Sequence, residues 1–235
     1  MSLPDIKGVP SSAVWLLIPC FNVGRYLPEL LRETAAFIPA DRTLIVDDGS
    51  TDDTSRVASD AKAHLISHAQ NRGKGAALRT GFNYLLEHGA EWCITLDGDG
   101  QHDAQYLPRF LESTIGGDYE LVIGARQRTG TNMPWDRRFS NWSTSLLLSR
   151  FTRQKIYDAQ CGYRLIRMPS LIGMTLNCDH YDLETELLLK MARRGARIGW
   201  LPVTTHYAGS RSSINRLTDT LRFLRVILQY GLSNH

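Results

Sequence analysis

Short apolar runs alternate with amphipathic segments through the first half of the chain. Five of these runs have the length and composition of buried strands, namely 14–18, 43–50, 64–68, 92–96 and 119–125. Helical periodicity, with its start and stop signals, predicts helices between them at 26–38, after Thr51 or Asp52, at 73–89 and from about Ala104. Strands that alternate with helices predict an α/β fold, with a mostly parallel, doubly wound sheet flanked by helices on both faces.

The second half of the chain has a looser pattern. We predict helices at 137–151, 181–195 and 215–230, a strand at 161–167, and one or two strands within 196–207. No linker, repeat or low-complexity segment separates the halves, and 235 residues are enough for one sizeable core. We therefore expect residues 1–235 to form a single domain that ends in a basic amphipathic helix.

Polar and acidic residues follow three of the predicted strands at the points where those strands end. Asp47 and Asp48 follow the second strand, residues 71–74 follow the third, and Asp97 and Asp99 follow the fourth. In a doubly wound sheet, ligands bind beyond the carboxyl ends of the strands. We expect these groups to meet at one crevice, where a single ligand contacts them all.

The stretch TLDGDGQHD, residues 95–103, concentrates acid behind the fourth strand. Carboxylates this close repel and raise one another's pKa unless a cation lies among them. Asp97, Asp99 and the Gln101 amide offer the oxygen ligands that Mg²⁺ or Mn²⁺ prefers, and such metals often complete their shell with substrate phosphates. The implied ligand is a nucleoside diphosphate group. The alternative is a solvated turn with helix-capping aspartates.

Charge and composition exclude several classes of protein. Lys and Arg total 27 against 24 for Asp and Glu, so we expect no nucleic-acid partner. GKGAAL at 73–78 lacks the third glycine or alanine of a dinucleotide fingerprint and the earlier glycine of a P-loop. The four cysteines form no CxxC pair, which fits reduced thiols in a cytoplasmic protein. We find no convincing targeting segment and no apolar stretch long enough to span a membrane.

Seven motifs, in order along the chain, together resemble those of one enzyme family. They are IPCFN (18–22), VDDGSTDDT (46–54), NRGKGAALRTGF (71–82), LDGDGQHDAQYLPRF (96–110), GAR (124–126), DAQCGYRLI (158–166) and YDLETELLLKMARRGARIGWLPV (181–203). The combination resembles family 2 glycosyltransferases of the GT-A fold, and within them the dolichyl-phosphate mannosyltransferase and bacterial polyprenyl-phosphate glycosyltransferase group. The resemblance covers roughly residues 13 to 226.

This resemblance implies a site for a nucleotide-diphosphate sugar, linked to UDP or GDP. The donor-binding residues would be Pro19, Phe21, Asn22, Asp47, Asp48, Asn71, Lys74, Asp97, Gly98, Asp99 and Arg211. Asp48 is favoured for contact with the base or ribose, whereas Asp47 is at least as well explained as a turn-forming residue. Lys74 would face the phosphates at the start of a helix, or would be a solvated surface lysine.

The resemblance also implies a metal site and an acceptor site. The metal ligands for Mg²⁺ or Mn²⁺ would be Asp97, Asp99 and Gln101. The residues facing the acceptor phosphate would be Arg126, Arg138 or else Arg137, and Arg164, which lies with Asp158 in the segment that forms the donor and acceptor wall. The catalytic set would be Asp97, Asp99, Arg126 and Glu184.

The acceptor decides whether the reaction needs a general base. A sugar hydroxyl needs a carboxylate to take its proton, whereas a lipid phosphate is already largely ionised at neutral pH. Glu184 could be such a base or a structural residue, and Glu186 fits a packing or helix-surface position better. Arginines match phosphate oxygens well, so the sequence favours polyprenyl phosphate as the acceptor.

The predicted function is a metal-dependent, inverting transfer of a hexose from the nucleotide sugar to polyprenyl phosphate. Transfer to a sugar hydroxyl and a non-catalytic nucleotide-sugar-binding protein are the alternatives. The final predicted helix carries leucines flanked by arginines, which suits either packing on the sheet or contact with an anionic membrane. Many members of the group continue into transmembrane helices after this segment, so for a chain that ends at His235 we expect a cytoplasmic protein with peripheral membrane contact, direct or through a membrane-protein partner.

Overall fold

A computed structural model describes most of the chain. It covers residues 13–114, 119–126, 135–205 and 216–231, apart from the side chains of 135–140, 216, 217, 219, 220 and 231. All structural statements below refer to these residues.

A seven-stranded sheet organises the described part of the chain. Its strands are β1 (Val14–Cys20), β2 (Thr43–Asp47), β3 (His64–Ser67), β4 (Trp92–Thr95), β5 (Leu121–Arg126), β6 (Arg164–Arg167) and β7 (Ile198–Val203). They lie in the order β3-β2-β1-β4-β6-β5-β7, and β6 runs antiparallel to both of its neighbours while the other paired strands are parallel. The predicted mostly parallel α/β sheet is confirmed.

Seven α-helices connect or cover these strands in the described residues. They are α1 (Leu27–Thr34), α2 (Thr54–Asp60), α3 (Lys74–Glu87), α4 (Leu107–Glu112), α5 (Trp135–Thr152), α6 (Leu183–Arg193) and α7 (Arg216–Val226). Short 3₁₀ turns occur at Ala40–Arg42, Ala104–Tyr106 and Met168–Leu171, and a π-helical turn, Ile227–Gly231, follows α7.

The interior strand β1 shows how the core forms. All seven of its residues are buried, as expected for a parallel strand covered on both faces. Helix α3 packs against β1 so closely that a Cβ on Gly81 would lie 2.4 Å from Leu17 Cδ1. Glycine at this position therefore sets the distance between helix and sheet. With α3 held there, its first residue, Lys74, lies at the carboxyl edge of the sheet.

Several predicted boundaries differ from the structure. Helix α2 begins at Thr54, with Asp53 at its N-cap position, but Asp53 makes no side-chain cap hydrogen bond. The Asp52 carboxylate makes the capping contact instead, since it accepts a hydrogen bond from Thr54 N at 3.0 Å, and it also accepts one from Gly24 N at 2.9 Å. It thereby joins two loops. Strand β6 begins at Arg164, three residues later than predicted, since residues 161–163 form an irregular approach to it.

Candidate active site

Loops at the carboxyl ends of β1, β2 and β3 are tied together by side-chain oxygens. Asn22 Oδ1 accepts a hydrogen bond from Thr51 N at 2.8 Å, which links the loops after β1 and β2. The Asp48 carboxylate accepts hydrogen bonds from Arg72 N at 3.0 Å and Gly73 N at 2.7 Å, which links the loops after β2 and β3. The expected convergence of these segments on one edge is therefore present.

Asp47 and Asp48 serve this loop structure. Asp47 accepts hydrogen bonds from Ser50 N and Ser55 Oγ. Asp48 also pairs with His68 Nδ1 at 2.6 Å, and its side chain is 3% exposed. Neither carboxylate is accessible for the expected contact with a base or ribose. The structure thus corrects this part of the donor site: both acids shape the crevice and do not line it.

Among the residues expected to bind the donor, three exposed ones lie on neighbouring loops. Phe21, Asn22 and Asn71 are exposed, whereas Pro19 is buried within β1. Asn22 has a φ of +53°, a left-handed conformation that asparagine tolerates better than most residues. Its backbone N–H donates to Ser50 Oγ at 2.9 Å, which holds the loop after β1 in place.

Lys74 is the cation that the acid cluster requires. Its Nζ lies 2.6 Å from Asp97 Oδ1 and 3.0 Å from Glu184 Oε1, and it lies over the ring of Tyr181. The side chain is only 15% exposed, so the alternative of a solvated surface lysine is wrong. Burial lowers the pKa of Lys74, but Asp97 and Glu184 outweigh that effect and raise the pKa well above its usual value. Lys74 therefore stays charged.

The two aspartates of the Asp97-Gly98-Asp99 segment, called the DGD loop below, have different electrostatic environments. Burial raises the pKa of Asp97, but the charge of Lys74 and other nearby groups outweighs it, so the net pKa is lowered. Burial and the neighbouring Asp97 charge raise the pKa of Asp99 to about 6. The Asp99 Oδ1 atom accepts a hydrogen bond from Gln101 N at 3.1 Å, which curls the loop around the pair. Additional positive charge at Asp99 would stabilise its ionised form.

These residues fit a hard divalent cation. The Asp97 side chain is 27% exposed, and a Cβ on Gly162 would lie 2.6 Å from both of its carboxylate oxygens, so glycine leaves room for that carboxylate. In the described part of the chain, no three His, Cys, Asp or Glu side chains come together in a way that could hold a metal. Two carboxylates and an amide would leave further positions for water and substrate phosphate, as is usual for Mg²⁺.

Gly162 and His102 were not assigned a function from the sequence. His102 is buried, and burial lowers its pKa to about 4, so the imidazole is neutral. Its backbone pairs with Thr205, which attaches the DGD loop to the segment after β7. In the sequence these two residues appear only as the glycine of CGYR and the histidine of DGDGQH. Neither motif shows by itself what its residue contacts.

Arg126 lies at the end of β5 and is oriented by Asp158. Its Nε lies 2.6 Å from Asp158 Oδ2 and its Nη2 lies 2.9 Å from Oδ1, a two-pronged ion pair. Burial raises the pKa of Asp158, but Arg126 outweighs this and lowers it. The buried carboxylate therefore stays ionised and fixes the plane of the guanidinium. Arg126 also contributes to the low pKa of Asp97, which places its charge near the acid pair.

Arg164 occupies an internal position and not the expected acceptor wall. Its side chain donates to three backbone carbonyls, those of Cys161, Glu184 and Ala159, at 2.8, 2.9 and 2.8 Å. The residue is 1% exposed. Because all three guanidinium nitrogens are engaged inside the protein, the expectation that Arg164 faces the acceptor is corrected. It joins the start of α6 to the segment that carries Asp158.

The two glutamates of α6 have different hydrogen-bond partners. Glu186 is fully buried and accepts hydrogen bonds from Asn177 N, Cys178 N and Lys190 Nζ, in agreement with the expected packing role. Glu184 pairs with Lys74 and its side chain is 6% exposed. Arg138 and Arg137 belong to α5, but their side chains lie outside the described residues, as do Arg211 and His206 entirely.

The fold matches that of known GT-A glycosyltransferases. Glucosyl-3-phosphoglycerate synthase from Mycobacterium tuberculosis, solved with Mn²⁺, UDP-glucose and phosphoglyceric acid, aligns with a TM-score of 0.72. Sequence identity is 20%, and the alignment covers 95% of this chain and 81% of that one. At this identity the likeness establishes the fold.

The sequence establishes the family. The model of glycosyl transferase family 2 matches residues 15–173, and the chain belongs to that family. It is a glycosyltransferase.

Three relatives carry names that describe their own substrates. An undecaprenyl-phosphate mannosyltransferase from Micrococcus luteus is 32% identical over 81% of this chain and 82% of that protein. A polyprenol monophosphomannose synthase from Mycolicibacterium smegmatis is 29% identical over 83% and 78%. A UDP-N-acetylglucosamine–dolichyl-phosphate N-acetylglucosaminyltransferase from Methanococcus voltae is 26% identical over 83% and 86%. The resemblance to the polyprenyl-phosphate group is confirmed. Among the described helices, none combines the length and apolar character needed to cross a bilayer.

Gly162→Ala tests the packing of Asp97. The added Cβ meets both carboxylate oxygens at 2.6 Å, so we expect displacement of Asp97 and at least about tenfold weaker Mn²⁺ binding, as when the support of a metal ligand is altered. Mn²⁺ binding is measured by electron paramagnetic resonance. Gly199→Ala is the matched control, because its Cβ crowds the Tyr119 ring at 2.9 Å and no acid. Wild-type Mn²⁺ affinity in Gly162→Ala would contradict the assignment.

Proposed function

We propose that this glycosyltransferase is metal-dependent and inverting, and that it transfers a hexose from a UDP- or GDP-linked sugar to polyprenyl phosphate. The observation that carries the proposal is the pairing of two charge systems at one edge of the sheet. The DGD acids and Lys74 suit a metal-bound diphosphate, and Arg126, held by Asp158, suits a second phosphate. The printed names of three relatives support the lipid phosphate as acceptor.

The donor half would be held by the DGD loop. Asp97, Asp99 and Gln101 would bind Mg²⁺ or Mn²⁺, which neutralises the charge that develops on the nucleoside diphosphate leaving group. Lys74, at the N-terminus of α3, adds a positive charge beside the same group. Phe21, Asn22 and Asn71 offer exposed side chains at the nucleotide end.

The acceptor half would need no general base. A phosphate monoester has a second pKa of about 6, so its oxygen is already nucleophilic at neutral pH. The fork of Arg126, fixed by Asp158, would orient that phosphate. Attack by the acceptor oxygen in one displacement inverts the anomeric centre. Glu184 supports this interpretation, since its carboxylate pairs with Lys74 and is almost fully buried.

Helix α7 supports membrane contact. Val226 and the following Ile227 are buried, and Tyr230 packs over Lys190, so one face holds the helix on the domain. The other face exposes Leu221, Leu224 and Leu228 beside Arg225. The first face agrees with the expected packing on the domain, and the second face supports our proposal of membrane contact. An exposed leucine stripe beside arginine suits an anionic bilayer, where a polyprenyl phosphate would reside. We place the protein at the cytoplasmic face of that membrane, bound peripherally.

The direct test is mass spectrometry of the lipid products. The protein is incubated with a short polyprenyl phosphate, Mg²⁺ or Mn²⁺, and a panel of UDP- and GDP-sugars. We expect a glycosyl-phosphate lipid that disappears with EDTA and falls at least about 100-fold in Asp99→Ala, because the leaving group loses its metal. Metal-dependent donor hydrolysis without a lipid product would retain the donor site and reject the acceptor.

Glu184→Gln separates the lipid phosphate from a sugar hydroxyl as acceptor. With a phosphate acceptor we expect turnover to fall less than about tenfold, since glutamine can still accept a hydrogen bond from Lys74 and no base is lost. Loss of a general base would instead lower turnover by about 100-fold or more. Single-turnover rates with saturating donor give the answer, and a large loss would favour hydroxyl chemistry.

Vesicle binding tests the surface of α7. We expect Leu221→Asn together with Leu228→Asn to weaken co-sedimentation with phosphatidylglycerol-containing vesicles about tenfold, because apolar contact area is lost. Ile172→Asn is a matched control, since Ile172 and Leu221 are each 67% exposed but lie on different elements. Equal losses in both variants, or none in either, would argue against α7 as the contact.

A further inference from the structure

The Lys74 ammonium contacts a group that the proposed metal would also need. It lies 2.6 Å from Asp97 Oδ1, closer than its 3.0 Å distance to Glu184 Oε1. We propose that Lys74 is an exchangeable counter-ion, which neutralises Asp97 before the donor binds and releases it to the divalent cation when the donor binds. This inference rests on the proposed function and specifies how its donor site fills.

Competition follows from the charges. An ammonium and a divalent cation repel each other, and they cannot both occupy the position nearest one carboxylate oxygen. A metal that binds Oδ1 of Asp97 would therefore displace Lys74, and a metal on the other carboxylate oxygen would be repelled by the ammonium beside it. The donor brings two phosphate groups with the metal, and these offer the displaced ammonium a new partner. Exchange thus links metal binding to donor binding, because the metal alone leaves Lys74 with fewer anions.

The backbone of Lys74 is fixed, so the exchange involves its side chain only. The N–H of Gly73, just before it, donates to Asp48 at 2.7 Å. The N–H of Ala76 donates to Asp179 O at 3.0 Å, and a Cβ on Gly75 would lie 2.6 Å from His180 O. The first turn of α3 is therefore packed against the segment that precedes α6. Only the flexible methylene chain of lysine can carry the charge between partners.

Glu184 acts here as a positioning residue. Its backbone carbonyl accepts a hydrogen bond from Arg164 Nη1 at 2.9 Å, and its carboxylate is nearly buried. It is therefore a fixed second anchor that keeps Lys74 charged and within reach after Asp97 is released. This accounts for a buried glutamate beside the site without assigning it proton transfer.

The proposal predicts opposite effects of one substitution on two ligands. In Lys74→Met, we expect Mn²⁺ alone to bind about tenfold more tightly, because its competitor is gone. We expect UDP and GDP, measured with Mn²⁺ present, to bind about tenfold more weakly, because the phosphates lose a cation. Electron paramagnetic resonance of free Mn²⁺ gives the first constant and calorimetry the second, on the full chain.

Two further variants make the test decisive. Lys74→Arg retains the charge and should keep the Mn²⁺ constant within about threefold of wild type. Lys190→Met removes a lysine that pairs with Glu186 at 2.5 Å on α6 and should change neither constant. Unchanged or weaker Mn²⁺ binding in Lys74→Met would overturn the exchange. Wild-type protein that binds Mn²⁺ and forms the lipid product would still uphold the proposed function, whereas absence of both would reject it independently.

Discussion

The ionised carboxylate of Asp97 requires positive charge beside it, and the rest of the site depends on which cation supplies that charge. Burial by itself favours the neutral form of this carboxyl, and the ammonium 2.6 Å away, together with other nearby groups, outweighs it. A divalent cation bound at Asp97 would favour the ionised form in the same way. Lys74 also holds Glu184, so the loop after β4 and the start of α6 share one positive charge. Close packing of α3 on β1 and of Gly75 on the 179–180 backbone holds that charge at the sheet edge.

Acidic side chains near the crevice divide into two groups. Asp48, Asp158 and Glu186 are buried and each accepts backbone N–H groups, so they determine where loops and cations lie. Asp97 and Asp99 keep part of their surface accessible and remain open to ligands. Burying an ionised carboxylate is costly unless it is paired and hydrogen-bonded, and each of the buried acids meets that condition. The accessible pair instead shows one raised pKa, which an incoming cation would relieve.

The sequence predicted the strands well because each of β1 to β4 contains a short apolar run, and strand ends in a parallel sheet converge by topology. It also placed the acids at the correct edge. It could not show that Lys74 and Glu184, 110 positions apart, form one ion pair, since no local pattern records a contact between distant elements. Arg164 was misplaced for a related reason: an arginine beside a strand indicates charge, but whether it faces solvent or three carbonyls depends on how residues 159–161 fold back. Asp48 likewise belongs to the motif VDDGSTDDT, in which the sequence does not show that neighbouring aspartates accept hydrogen bonds from different loops.

Whether the site can bind an acceptor phosphate depends on which arginine side chains are available to it. The guanidinium of Arg164 is hydrogen-bonded to backbone carbonyls inside the protein, so it offers no charge to a substrate. The Arg126 side chain is 15% exposed, and Asp158 compensates its charge. Arg126 would therefore orient a phosphate more than attract one. A dianionic acceptor brought beside a diphosphate needs a further uncompensated cation, or the two anions would repel. A phosphate acceptor therefore requires more positive charge than Arg126 supplies, whereas a sugar hydroxyl would require a carboxylate that can take its proton. The pairing of Glu184 with Lys74 and the burial of its side chain oppose that second role.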